Sequence, residues 1–188
     1  MTAAPSTRYT NTAITLHWVI ALLMVANVLM AWAVDSLPEG WVRPVINTHK
    51  SIGITVIGLA MLRLLWRAGH PPPAQPVNHA RWERRLSGAV QGMFYLLLLA
   101  LPVSGWLHDS AWKDAAAHPL TWFGWGDLPR LPWLTAMEPV RREAMHDLMG
   151  DIHASFAYVL YAALALHVAG ALKHQFRDGE AQFRRIWF

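Results

Sequence analysis

The stretch IHASFAYVLYAALALHVAGAL, Ile152 to Leu172, decides the fold. It is 21 residues long and carries no Asp, Glu, Lys or Arg, and about 20 such residues cross the hydrocarbon of a bilayer as a helix. Two histidines interrupt it, His153 and His167. Ionisable groups are expensive in hydrocarbon, so each is a candidate functional residue. Their spacing of fourteen residues corresponds to about 21 Å of helical rise and four turns, leaving the two imidazoles within about 40° of one face.

Three further apolar stretches lie upstream. The first runs from Ile14 to Val34, interrupted by Thr15, His17 and Asn27; the others cover about 46–66 and 88–107. The chain therefore reads as all-α, an integral membrane four-helix bundle in one domain over 1–188. Helices are expected at about 12–34, 46–66, 88–107 and 139–175, the last spanning the membrane over about 152–172. His70-Pro71-Pro72-Pro73 ends the second helix, since proline cannot continue one. A loop over about 106–150 carries Pro119, Pro129 and Pro132 and the aromatic residues Trp112, Trp122, Trp125 and Trp133. Pro139 suits the first position of the helix that runs into the fourth span.

Composition agrees. Only 15% of residues are charged, against about 25% in a soluble domain. The 11 Trp suit the headgroup level of a membrane. With no Cys, disulfides, iron–sulfur clusters and thioether-attached haem are excluded. No nucleic-acid partner is read from the sequence. Ala31-Trp32-Ala33 has the small-residue pattern of a signal-peptide cleavage site, but the apolar run before it exceeds the usual 7–15 residues or so. The basic residues set an orientation. The N-terminal tail, the second connection and the C-terminal tail together hold ten of the 16 Lys and Arg but only Glu83, Asp178 and Glu180 of the 12 acids. The positive-inside rule then puts both termini in the cytoplasm.

That topology sorts the histidines by depth. His17 opens the first helix on the inner side, level with His167; His49 opens the second on the outer side, level with His153. Two facing imidazole pairs result, of the kind that bundles use for cofactor sites. Zinc prefers four protein ligands, whereas haem iron needs only two axial groups, and two imidazoles suit electron transfer rather than oxygen binding. The reading is two b haems with the axial pairs His17/His167 and His49/His153. Small residues follow each ligand by four: Ala21, Gly53, Ala157 and Ala171. Arg63 follows His49 by fourteen, which places it at the inner level to pair with a haem propionate.

Leu16-His17-Trp18, Arg43-Pro44-Val45-Ile46-Asn47 before His49, Arg63-Leu64-Leu65-Trp66-Arg67, and the histidines 153, 167 and 174 resemble the bacterial cytochrome b561 family. The resemblance covers nearly the whole chain except the long loop. It implies a multi-pass di-haem cytochrome of the bacterial inner membrane that exchanges electrons with quinone, with His17, His49, His153 and His167 as iron ligands. A member of similar layout oxidises superoxide outside and reduces ubiquinone inside. His174, two turns beyond His167, and Trp18 are the expected border of a quinone site. Lys50, Arg141, Arg142 and His146 are the expected positive mouth for superoxide. The alternative is an anchor subunit that relays electrons between a partner dehydrogenase and the quinone pool. A haem-free transporter, for which Asn27 is the main polar candidate inside a span, is the third reading. Neither a protein partner nor a catalytic residue is identified.

Overall fold

A computed structural model describes residues 8–73 and 80–187. Four helices in it are long and apolar enough to cross a membrane. They are α1 (Asn11–Ala33), α2 (Glu39–Gly69), α3 (Arg81–Ser110) and α5 (Pro139–Leu172). Each is longer than, or offset from, its apolar stretch, because hydropathy marks only the part in hydrocarbon while the backbone stays helical through the headgroups. α2 is the clearest case: it begins seven residues before Ile46 and carries Pro44 inside its second turn, where the missing N–H leaves the Gly40 carbonyl without its helical partner.

Local chemistry fixes the ends. The Thr10 hydroxyl accepts from the Ala13 N–H at 3.3 Å and caps α1. The Glu138 carboxylate accepts from the N–H groups of Val140 and Arg141, both at 3.2 Å, and Pro139 takes the first position of α5. Both features satisfy or remove orphan donors of a helix start. α5 ends in a π-helical turn, Lys173–Arg177, that contains His174.

α2 packs on α1 and α3, and α3 packs most extensively on α5. The core has two parts. Ile20, Ile52, Val56, Ala60 and Leu98 join α1, α2 and α3. Leu97, Leu101, Leu160 and Ala163 join α3 and α5. Around them, Leu22, Leu65, Leu96 and Tyr158 are more than 60% exposed; such side chains are stable outside only if lipid covers them. The backbones of α1 and α2 stand further from α5, and side chains span that space: His17 meets His167, His49 meets His153, and the Trp32 indole donates to the Tyr161 hydroxyl at 3.1 Å.

The first and last described residues lie at one end of the bundle. The Tyr9 N–H bonds the Arg185 carbonyl at 3.1 Å, and the Arg8 guanidinium bonds the Trp187 carbonyl. A short helix α6 (Gln182–Ile186) follows the π turn there. At the opposite end the long loop folds into a two-stranded hairpin, β1 (Thr121–Trp122) with β2 (Gly126–Asp127), and a helical turn α4 (Pro132–Thr135).

Candidate cofactor site

The four intramembrane histidines meet as two couples. The rings of His49 and His153 lie 6.2 Å apart between centres at 71°, and those of His17 and His167 lie 6.3 Å apart at 62°. Two imidazoles bound through nitrogen at about 2 Å to one metal ion hold their ring centres about 6 Å apart. The spacing thus fits one iron between each couple.

The outer couple, at the long-loop end, is oriented by main chain. The His49 Nδ1 lies 3.1 Å from the Asn27 carbonyl, and the His153 Nδ1 lies 2.9 Å from the Leu101 carbonyl. A carbonyl only accepts, so Nδ1 carries the proton in both rings and Nε2 keeps its lone pair, the usual arrangement of a ligating histidine. Gly105 makes room for His153: a Cβ there would stand 3.2 Å from its Cε1. Gly53 has no such tight role, since its Cβ would meet only ordinary contacts at 3.8 Å.

The inner couple differs. Arg63 reaches the level that its spacing from His49 assigns, and its guanidinium donates to the His17 Nδ1 at 3.0 Å. An Nδ1 that accepts leaves the ring proton on Nε2. Phe94 stands edge-on to His167 at 5.4 Å. Trp18 packs edge-to-face on His17 at 5.3 Å and on Trp187 at 5.6 Å, and its N–H is taken by the Ile186 carbonyl at 2.8 Å. It can therefore wall a site but not donate to a ligand. The His174 Nδ1 lies 2.8 Å from the Asp178 carboxylate, which also accepts from Lys173 at 2.7 Å. The Lys173 ammonium holds the Asp178 carboxyl below the usual carboxylate range.

The expected positive mouth at the outer end takes another form. Lys50 is bound to Asp109, whose other oxygen accepts from Arg130 at 2.8 Å. Lys50 is thus paired, although two cations share the one carboxylate. Arg142 turns to the carbonyls of Thr135 and Lys113 at 3.4 and 3.5 Å. His146 stacks on His108 with ring centres 3.8 Å apart, each Nδ1 bonding the other's carbonyl. The Asp109 centre and the His108–His146 stack are absent from any sequence reading by spacing. A carboxylate at the end of an apolar run was the one signal available, and its partners lie far along the chain.

These features define a class: a membrane-embedded four-helix bundle with a bis-imidazole pair near each face. The family model of prokaryotic cytochrome b561 matches residues 8–188, and the chain belongs to that family. Its members bind haem b and move electrons in the membrane. The chain is 29% identical to cytochrome b561 homolog 2 of Escherichia coli K12 over 181 residues, covering 95% of this chain and 90% of the relative. It is 25% identical to cytochrome b561 homolog 1 of the same strain, covering 90% of each. It is also 25% identical to the probable superoxide oxidase CybB of Yersinia pestis, covering 90% of this chain and 89% of that protein.

Proposed function

We propose that this chain carries electrons across the bacterial inner membrane between two b haems, oxidising superoxide at the long-loop end and reducing ubiquinone at the end that holds both termini. The carrying observation is the pair of imidazole couples, 6.2 and 6.3 Å between ring centres, on opposite halves of the bundle. His49 and His153 hold one group, and His17 and His167 the other. A haem held between two such imidazoles would supply one-electron transfer rather than oxygen binding. The excess of Lys and Arg at the termini supports a cytoplasmic placement of that end.

The reaction balances simply. Two superoxide anions each lose one electron and become O2; one ubiquinone gains both electrons and two protons to become the quinol. The choice of superoxide leans on the name of the Yersinia relative. For the inner end, His174 is the hydrogen-bonding group for a quinone carbonyl and Trp18 an aromatic wall. Arg63 serves a haem propionate, which requires it to turn away from the His17 Nδ1 so that His17 ligates through Nε2.

Two measurements test this. Haem content of the purified protein and of single His→Ala variants should show two b haems, with one lost from each of the four variants. A chain that binds one haem with all four histidines present refutes the paired-site reading. Stopped-flow mixing with superoxide should reduce the haems, and added ubiquinone should reoxidise them. Haems that stay oxidised would leave the anchor-subunit reading in its place.

A further inference from the structure

We infer that the hairpin Thr121–Asp127 is a re-entrant aromatic anchor, seated against the outer half of α2 with its tip in the hydrocarbon of the leaflet on the long-loop side. The inference uses the four-span reading but not the proposed electron donor or acceptor.

Depth carries the argument. The Trp122 indole donates to the Thr55 hydroxyl at 3.0 Å. Thr55 lies six residues beyond His49 along α2, which is about 9 Å further into the membrane than that ligand. The Phe123 N–H donates to the Ser51 hydroxyl at 3.0 Å, and the same hydroxyl lies 3.2 Å from the Thr121 carbonyl. Ser51 and Thr55 are one turn apart, so the hairpin lies along the helix rather than over its end. A loop that touches α2 there is inside the bilayer, not above it.

Its chemistry suits that place. Residues 119–126 carry no charge, and the tip reads Trp122-Phe123-Gly124-Trp125. Trp122, Phe123 and Trp125 are 40%, 47% and 87% exposed, an apolar cluster turned away from the protein. Non-helical backbone survives in hydrocarbon only when its polar groups are satisfied within the protein. The Trp125 N–H bonds the Trp122 carbonyl at 2.9 Å, Thr121 pairs with Asp127, Trp122 pairs with Gly126, and Ser51 takes the Phe123 N–H. Asp127 closes the hairpin on its shallow side, opposite Thr121 and at the level of Ser51.

The turn at the tip is tight. Phe123 has φ +49° and Gly124 φ +76°. The left-handed region is an outlier for a bulky residue and suits Gly or Asn. The Trp125 N–H to Trp122 carbonyl bond with both central residues at positive φ is a primed hairpin turn, which sets Phe123 at the tip.

The chain has no Cys, so a single nitroxide label is clean. F123C and W125C, each labelled in phosphatidylcholine proteoliposomes with the haem spectrum intact, should collide with dissolved O2 several-fold more than with a water-soluble nickel chelate. K113C, in the same loop but charged and exposed in the native chain, should show the reverse. Nickel-dominated collisions at both 123 and 125 overturn the proposal. So does dipolar broadening at either site that survives dilution in lipid, because the tip would then face a second copy.

Discussion

Asn27 and His49 hold each other across α1 and α2: the Asn27 Nδ2 donates to the His49 carbonyl at 3.2 Å, and the His49 Nδ1–H points at the Asn27 carbonyl 3.1 Å away. The polar residue that would mark a transporter is thus bound to His49. The two bonds differ in kind. One uses the Asn27 side chain and ties two helices; the other uses main chain and aims the imidazole.

Asn27→Ala should therefore separate the two effects. The side-chain bond goes, at about 1 kcal/mol for an interhelical hydrogen bond in a membrane, while the carbonyl that orients His49 stays. Haem content should remain at the parent level, with the temperature at which the haem band bleaches lowered by a few degrees. Loss of a haem from this variant would mean that the side chain, not the carbonyl, positions the ligand.

Most of the architecture was legible in the chain because hydropathy is a local property: each apolar stretch reports its own solvent. The couples were legible for a related reason. Depth along a straight helix is counted by residue number, so His153 and His167 locate themselves once the topology is set. What could not be read are contacts between distant segments. Lys50 lies 59 residues from Asp109, Ser51 lies 72 from Phe123, and His108 lies 38 from His146. Nothing periodic links such pairs. For that reason Lys50 read as part of an open positive mouth, when it shares Asp109 with Arg130, and the bonds of the long loop to Ser51 and Thr55 were not foreseen.

Gly105 makes a sharper test of the outer site. A methyl group there would stand 3.2 Å from the His153 Cε1 and 3.3 Å from its Nδ1, tighter than most such contacts. The imidazole must give by a few tenths of an ångström. Ligand geometry tolerates little displacement, so Gly105→Ala should cost the outer haem and spare the inner one. A pyridine haemochrome assay should read about half the parent haem per chain. Full occupancy would show that His153 can move without losing its iron.

Arg63 should tune the inner site electrically. It is the cation nearest His17, and its guanidinium contacts that ring directly. Removing a positive charge favours the more oxidised iron, so Arg63→Gln should lower the midpoint potential of one haem. The expected shift is on the order of tens of millivolts, since about 59 mV is a tenfold change for one electron. The other haem should not move. A redox titration in which neither or both potentials fall would remove Arg63 from the inner site.

Asp109 should matter more to stability than any surface charge. Its side chain is 3% exposed and sits between Lys50 and Arg130. Arg130 also donates to the carbonyls of Ala115 at 2.6 Å and His118 at 2.7 Å, so this one carboxylate pins the long loop to the end of α3. Removing it leaves two cations facing each other with little water. Breaking a buried charge group in this way costs about 3–5 kcal/mol, and Asp109→Ala should fall in that range. Lys50→Met should cost less, because the Asp109–Arg130 bond remains and Lys50 is 22% exposed. Thermal bleaching of the haem band in detergent orders the two variants. If Lys50→Met is the weaker protein, the loop is held by the lysine and not by the Asp109–Arg130 pair.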